Sequence, residues 1–243
     1  DAVTKRTLAL GALLAGAASV ASPGASQSTP AGERCEAMAG VELRPGLTIT
    51  RARHVSPSAM RASADRGMPP TPALPAHCRV EGKIDPHTGV DGKDYAIGFA
   101  LALPDEWNGR FLLQGGGGLN GSVREPIGPV AAGDRPALAR GFAVISHDSG
   151  HEGAVFDDSF MDDQRAALDF AEASVRTVTV AGKALTERFY GRAIHHSYMT
   201  GCSTGGREGM LAAQRYPELF DGIVVGAPAM RTGHSNLAIE YAA

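Results

Sequence analysis

Residues 197–209 read Ser-Tyr-Met-Thr-Gly-Cys-Ser-Thr-Gly-Gly-Arg-Glu-Gly. The first four residues have the composition of a short strand, and residues 205–216 have the pattern of a helix that stops before a proline. Between them, residues 201–205 fit the Gly-x-Ser-x-Gly pattern of a sharp strand-to-helix turn. Because such a turn presents the serine hydroxyl above a sheet, the stretch predicts an α/β fold with Ser203 as a nucleophile.

Patterns on both sides of this turn extend the predicted sheet. Apolar and alternating runs predict strands over residues 47–50, 78–82, 95–103, 110–114, 142–146 and 222–225. Between Ala166 and Tyr190, apolar residues recur at spacings of three, four and seven, which predicts one long helix. Strands that alternate with helices predict a parallel sheet with right-handed crossovers, and the serine turn makes this an α/β-hydrolase core.

A serine nucleophile also needs N–H donors for the oxyanion of the tetrahedral intermediate. The backbone amide of Thr204, directly after Ser203, is the first predicted donor. Four glycines, residues 115–118, follow a predicted strand and can supply the second donor, since glycines let the backbone approach a substrate closely. A linker or a phosphate-binding loop is the alternative, but a linker does not directly follow a buried strand, and no Gly-Lys-Ser/Thr follows.

The general base and its orienting acid are expected after the nucleophile, in the order acid and then histidine. Downstream of Ser203 the sequence contains a single histidine, His234. The downstream acids are Glu208, Glu218, Asp221 and Glu240. They lie within one or two elements of the turn, whereas these partners normally come from later strands. We therefore expect the catalytic acid and histidine beyond Ala243.

The histidines before the turn receive other roles. His147, Asp148 and His151 are expected to shape the wall of the pocket. His195 and His196 are expected to be structural. No Cys or further His lies at ligand spacing from His147 and His151, so no metal site is predicted in this segment.

The composition limits the function classes. A chain of 243 residues, 43% hydrophobic with 31 Gly and 15 Pro, suits one large, loop-rich globular domain. The 23 basic residues nearly balance the 26 acidic ones, and no cluster of Lys and Arg stands out. Neither nucleic acid nor a membrane surface is therefore predicted as a partner.

The first 26 residues have the order of an export signal. Lys5 and Arg6 precede an apolar run from Leu8 to Val20, which is too short to span a bilayer, and small residues follow it. Residues 27–34 are small and polar and are predicted to form a linker, which leaves residues 35–243 for the catalytic domain. The protein is therefore predicted to be secreted or periplasmic.

Export places the three cysteines in an oxidising compartment, where cysteines normally pair. Cys35 and Cys78 can pair with each other. Cys202 is then left over, directly beside the predicted nucleophile.

Residues 201–209 resemble the tannase and feruloyl esterase family. The likeness continues through residues 78–82, 106–111, 115–121, 188–192 and 216–228, so it covers nearly all of residues 35–230. It implies hydrolysis of esters of aromatic acids, such as feruloyl, galloyl or terephthaloyl esters. It also implies that the bound partner is a small aromatic ester and that no cofactor is needed in this segment.

The resemblance carries several site features. It implies that Cys35 pairs with Cys78, that the amides of Thr204 and Gly118 form the oxyanion hole, and that Thr204 contributes mainly its backbone. It implies that Cys202 is bonded to a cysteine beside the catalytic histidine. In this family these groups follow a large inserted lid domain, which often holds a calcium ion. The chain would then be the N-terminal portion of the enzyme, with the lid and the C-terminal half of the core beyond Ala243.

Three other interpretations remain open. The chain is an inactive fragment, or one half of a processed two-chain esterase, if the acid and histidine are never supplied in the same polypeptide. A lipase or peptidase can carry the same serine turn. A non-catalytic carbohydrate-binding or interaction module that kept only the turn is the third.

Overall fold

The computed structural model describes residues 30–60, 72–129 and 135–230. The predicted signal peptide, residues 1–26, lies outside these ranges. The strands within them are β1 Leu47–Val55, β2 His77–Thr88, β3 Asp94–Pro104, β4 Arg110–Gln114, β5 Ala143–His147, β6 His196–Cys202 and β7 Gly222–Gly226. The helices are α1 Ala31–Ala37, α2 Gln164–Leu168, a π-helical segment Asp169–Ala173, α3 Ser174–Tyr190 and α4 Thr204–Arg215. Short 3-10 turns lie at Met38–Gly40, Leu138–Arg140, Ser159–Asp162 and Pro217–Leu219.

The described strands form one mixed sheet in the order β1-β2-β3-β5-β4-β6-β7. Strands β5, β4, β6 and β7 pair in parallel, as predicted. Strands β1, β2 and β3 are antiparallel to one another, and β3 also pairs antiparallel with β5. These three strands precede the alternation of strands and helices from which the parallel sheet was predicted, and their directions were not predicted. Only five residues, 89–93, join β2 to β3, which is enough for an antiparallel turn but too few for the crossover that a parallel pair needs.

The core lies between the middle of the sheet and α3. Phe111, Leu113 and Ile145 are fully buried in β4 and β5. Gly182 of α3 comes so close to them that a Cβ atom there would lie 2.7 Å from the Ile145 Cδ1 atom. This packing holds α3 close against β4 and β5, the strands from which the glycine-rich segment and the chain after His147 continue.

The long helix predicted over residues 166–190 is interrupted. Val175, Val178 and Leu185 of α3 are buried as the apolar spacing predicts, but Leu168 of α2 is 55% exposed. The π-helical segment between α2 and α3 causes this difference. A π turn holds an extra residue, so side chains before it are rotated around the helix axis relative to those after it.

The N-terminal end of the described chain is tied to the sheet. The predicted linker, residues 27–34, overlaps α1, because its last four residues are helical. Cys35 in this helix forms a disulfide with Cys78 in β2, and both residues are fully buried. The predicted pairing is confirmed. The bond anchors α1 against the sheet, which explains why a polar and small sequence is ordered there.

We predict that Cys35→Ala, Cys78→Ala and the double variant lose nearly the same free energy of unfolding, about 4 kcal/mol. The bond closes a sequence separation of 43 residues, and the loss follows from the larger conformational entropy of the unfolded chain without it. Chemical denaturation of the three variants and the wild type measures it. A double variant that loses the sum of the two single losses would contradict a shared bond.

Candidate active site

Ser203 lies at the turn between β6 and α4. Its backbone has φ 59° and ψ −118°, a conformation that residues other than glycine rarely adopt. Hydrogen bonds on both sides hold it there. The Ser203 N–H donates to the Gly226 oxygen at 3.1 Å, and the Ser203 oxygen accepts from the Arg207 and Ala229 amides at 3.0 Å each. The side chain is exposed at the turn, as a nucleophile must be.

We call residues 115–118 the glycine loop, and it touches the serine turn through backbone atoms. The Gly205 N–H donates to the Gly116 oxygen at 3.1 Å. A Cβ atom on Gly205 would lie 2.7 Å from that oxygen and 2.8 Å from the carbonyl carbon of Gly115. The side chain of any other residue would push the two segments apart, so glycine at position 205 is required by this contact.

The amides of Thr204 and Gly118 are available to a ligand. Neither N–H donates a hydrogen bond to an acceptor among the described residues. Gly118 has φ 64°, in the left-handed region that favours glycine. Thr204 is the first residue of α4, where the helix dipole stabilises negative charge. The two amides therefore offer donors beside Ser203 in a region that suits an anion.

Thr204 also uses its side chain. Its Oγ1 donates to the carbonyl oxygen of Gly118. This hydrogen bond connects the two residues whose amides are the predicted donors. The resemblance implied that the Thr204 and Gly118 amides lie close together and that Thr204 contributes mainly its backbone, whereas the hydrogen bond of the Thr204 side chain was not predicted.

A cavity of about 820 Å³ opens above Ser203. The glycine loop, Gln114, Ile127 and Cys202 contribute to its walls. Pockets of a few hundred to a thousand cubic ångströms hold ligands of drug size. Cys202 is an exposed free thiol within the described ranges, and the partner predicted for it lies outside them.

The residues predicted to shape the pocket wall lie elsewhere. His147, Asp148 and His151 are buried, and none of them lines the cavity above Ser203. That expectation is wrong, because the chain after β5 turns inward. Asp148 accepts hydrogen bonds from the amides of Gly98 and Gly150 at 3.0 and 2.9 Å. Burial raises the pKa of Asp148 to about 7.

Each described histidine near the sheet core has a structural environment. The Nδ1 atom of His147 accepts the Ser149 N–H at 3.2 Å, so the proton of the neutral ring lies on Nε2. Burial lowers the pKa of His147 and favours that neutral form. The ring of His151 stacks on Phe160 at 3.6 Å, and burial lowers its pKa to about 4. Neither ring can serve as the base of Ser203 in this arrangement.

His195 and His196 lie at the start of β6, whereas Ser203 follows the end of that strand. The His195 ring packs against Gly109, and the His196 ring stacks on Tyr198. Seven strand residues separate the two ends of β6, which is roughly 20 Å at the usual rise. Both residues are therefore far from the serine.

Arg207 fixes the first turns of α4 against the rest of the fold. Its guanidinium donates to the carbonyl oxygens of Phe170 and Ala171 at 2.8 and 2.9 Å, and it lies over the Phe170 ring at 4.5 Å. Both carbonyls belong to the π-helical segment, where the regular α-helical hydrogen bonds are disturbed. The irregular segment thus supplies acceptors that hold the helix behind Ser203.

Glu208 lies close to the serine turn, and the sequence predicts no role for it in the site. It is fully buried and contacts the glycine loop. A signal was present in the sequence. On a helix, Glu208 shares a face with Gly205, Gly209 and Ala212, and an acid on a face of small residues indicates a buried, hydrogen-bonded carboxyl group.

No group of three or more His, Cys, Asp or Glu side chains in the described ranges is arranged to hold a metal ion. The calcium ion expected in a lid domain concerns residues beyond Ala243. None of the described helices has the length and apolar character of a membrane span.

The family model for tannase and feruloyl esterase matches residues 78–243. The chain belongs to this family. It is 50% identical over 164 residues to mono(2-hydroxyethyl) terephthalate hydrolase of Piscinibacter sakaiensis, a match that covers 64% of this chain and 27% of that protein. It is 34% identical over 203 residues to a probable feruloyl esterase of Arthroderma benhamiae, covering 79% of this chain and 34% of the relative.

Solved structures agree with this assignment. The crystal structure of feruloyl esterase B from Aspergillus oryzae matches with a TM-score of 0.68 and 31% identity, over 82% of this chain and 38% of that chain. The predicted α/β-hydrolase fold class is thereby confirmed. This family member spans only 27% and 34% of the length of the two sequence relatives.

We predict that Gly205→Ala lowers the free energy of unfolding by about 1–3 kcal/mol, because the new methyl group collides with the backbone of the glycine loop. Gly32→Ala is the matched control, since its Cβ would meet nothing within 4 Å, and we expect a change below about 0.5 kcal/mol. Chemical denaturation compares the two variants. Equal stabilities would contradict the close contact described here.

We predict that the stability of the wild type relative to Asp148→Asn falls as pH rises from 4 to 7. The pKa of Asp148 is about 7 in the folded protein against an ordinary 3.8, so between these values only the folded state binds the proton. The difference between these two pKa values corresponds to at most about 4 kcal/mol in the free energy of unfolding.

Unfolding of both proteins at pH 4 and pH 7 measures this change. The contributions of His147 and His151 to the pH dependence cancel in the difference between the two proteins. A difference that stays constant with pH would show that Asp148 titrates normally in the folded state.

Proposed function

We propose that this family member is a secreted serine ester hydrolase that acts on esters of aromatic acids through an acyl-enzyme. The observation that carries the proposal is the strained backbone of Ser203, which exposes its hydroxyl beside two amides that have no acceptor in the described part of the chain. Few structural roles need an exposed serine in such a conformation, and strain of this kind concentrates at functional sites.

In the proposed mechanism, Ser203 Oγ attacks the carbonyl carbon of the ester. The carbonyl oxygen becomes an oxyanion, which accepts hydrogen bonds from the amides of Thr204 and Gly118. The general base takes the proton of the Ser203 hydroxyl during the attack and passes it to the leaving oxygen as the C–O bond breaks. The alcohol then leaves, and the acid stays bound to Ser203 as an ester. Water then attacks the acyl-enzyme through the same type of intermediate, and the free aromatic acid is released.

The general base and its orienting acid are proposed to come from residues outside the described ranges. The environments of His147, His151, His195 and His196 support this, since none of them lines the cavity above Ser203. The family resemblance implies a histidine beyond Ala243, with the disulfide partner of Cys202 beside it. The same resemblance implies that a further half of the enzyme completes the site.

The substrate class rests on the relatives and on the cavity. The similar proteins are a hydrolase of a terephthalate monoester and probable feruloyl esterases. A cavity of about 820 Å³ beside the serine has room for an aromatic acid and its alcohol. The relatives favour aromatic esters over long acyl chains or peptides, and the cavity is large enough for such an ester.

Export is proposed from the N-terminal sequence and the disulfide. Residues 1–26 have the basic, apolar and small regions of a signal peptide. A buried disulfide such as Cys35–Cys78 normally persists in proteins of an oxidising compartment. Both observations support a secreted or periplasmic location.

We predict that Ser203→Ala lowers kcat/KM for methyl ferulate and methyl gallate by at least about a thousandfold, because no other group can form the acyl-enzyme. Assays of the complete protein that carries this chain measure it. Ser159→Ala is the matched control, since this serine lies in an exposed turn and contacts Lys93; its kcat/KM should stay within twofold. Undiminished hydrolysis by Ser203→Ala would refute the nucleophile.

The same assay separates the alternative functions. Long-chain triglycerides, a casein substrate and 4-nitrophenyl acetate are tested beside the two methyl esters. We expect the aromatic methyl esters to be cleaved most efficiently. Preference for triglycerides or casein would identify a lipase or a peptidase, and a protein inactive on all of them would support a non-catalytic module or an incomplete enzyme.

A further inference from the structure

One buried carboxyl group contacts Gly116 of the glycine loop and Asn120, two residues beyond the loop. Glu208 lies in the second turn of α4, five residues after Ser203, and its side chain is fully buried. Its Oε2 accepts the Gly116 N–H at 3.1 Å. Its Oε1 accepts the Asn120 Nδ2–H at 2.7 Å and the Ser149 hydroxyl at 3.1 Å. Gly116 and Asn120 belong to the segment that follows β4, and Ser149 follows β5.

Gly116 and Asn120 are the first and last residues of a segment that contains Gly118. Gly118, the proposed second oxyanion donor, lies midway between them. Both ends of this five-residue segment are held by the same side chain, and the Asn120 N–H also donates to the Gly117 oxygen at 3.0 Å to close the turn. Asn120 has φ 61°, a left-handed conformation that asparagine adopts more readily than other non-glycine residues.

The charged neighbours of Glu208 are few. The His147 Nε2 atom lies 3.7 Å from Oε2, and this ring nitrogen carries the proton of the neutral histidine. Arg207 interacts with Glu208 electrostatically, but its guanidinium is bound to the π-helical segment. The hydrogen bonds of Glu208 are therefore directed mainly to the glycine loop and Ser149, and a buried carboxyl group without those donors would be costly.

We infer that Glu208 is a positioning residue, which holds residues 116–120 so that the Gly118 amide faces the oxyanion formed at Ser203. This inference rests on the proposed function. It goes beyond that function by assigning a role to a residue that touches neither substrate nor oxyanion. The carboxyl group accepts hydrogen bonds from the segment that carries the Gly118 amide. Its loss should therefore raise the energy of the transition state and leave substrate binding nearly unchanged.

The test uses the complete protein that carries this chain. Glu208→Gln keeps the size of the side chain but replaces one acceptor oxygen by an NH2 group that faces an N–H or O–H donor. We expect kcat for methyl ferulate to fall 10- to 100-fold and KM to stay within threefold of the wild type. The fall in kcat should not exceed the one caused by removing an oxyanion donor outright. Glu172→Gln is the matched control, because Glu172 accepts from Arg215 and Tyr216 at the far end of α4; its kcat should stay within twofold.

Two ligands separate a positioning role from a general loss of structure. Phenylboronic acid forms a tetrahedral adduct with an active serine and therefore uses the oxyanion donors, whereas ferulic acid, the planar product, does not depend on them. Glu208→Gln should weaken phenylboronic acid binding by about the same factor as kcat and leave ferulic acid inhibition within threefold. Equal losses for both ligands, or unchanged kcat, would overturn the inference.

An exchanged pair tests the contact itself. In the double variant Glu208→Gln/Asn120→Asp, the amide introduced on α4 can donate to the carboxylate introduced at the end of the loop, so the hydrogen bond is restored with the roles reversed. We expect at least a tenfold recovery of kcat over Glu208→Gln. Recovery of the melting temperature without recovery of kcat would reduce Glu208 to a structural role and overturn the inference.

The experiment also covers variants that fail to fold. If Glu208→Gln does not fold, the exchanged pair is compared with the wild type, and phenylboronic acid affinity within threefold supports the inference while a larger loss contradicts it. Failure of the proposed function looks different. In that case the wild type itself neither hydrolyses methyl ferulate nor binds phenylboronic acid at Ser203.

Discussion

The hydrogen bond from the Gly205 N–H to the Gly116 oxygen joins the two backbone segments on which the site depends. The parallel pairing of β4 with β6 brings these segments together, because Gln114 is in register with Thr200 and both strands end at the same edge of the sheet. The glycine loop follows one strand and the serine turn follows the other. Their contact has no room for a side chain at position 205, so the geometry of the proposed oxyanion site is set by backbone atoms.

Hydrogen bonds of polar side chains hold the serine turn and the glycine loop in place. A conformation such as that of Ser203 costs about 1–3 kcal/mol and persists only where the surroundings over-determine it. Arg207 binds α4 to the π-helical segment, Glu208 binds α4 to the glycine loop, and the Thr204 hydroxyl binds the turn to Gly118. These three contacts all come from the beginning of one helix. The sequence Thr-Gly-Gly-Arg-Glu-Gly after Ser203 therefore carries both the proposed chemistry and the means of fixing it.

Local patterns in the sequence predicted much of this molecule. The serine turn, strand Arg110–Gln114 and the apolar face of α3 were all predicted and are observed. The predictions that failed depend on contacts between distant segments. The inward course of the chain after His147 and the π-helical segment that exposes Leu168 are set by tertiary packing, which periodicity does not encode. The same holds for the site, since the Thr204 hydroxyl and the Glu208 carboxyl group act on residues far earlier in the chain.

The central claim is that Ser203 attacks an ester whose oxyanion lies between the Thr204 and Gly118 amides. A crystal structure of the complete protein after reaction with an aryl phosphonate tests it most directly, because the phosphonyl group mimics the tetrahedral intermediate. The account predicts a covalent bond from Ser203 Oγ to phosphorus, with the phosphonyl oxygen about 2.7–3.1 Å from both amide nitrogens. A phosphonyl group on another residue, or an oxygen that points away from these two amides, would contradict it.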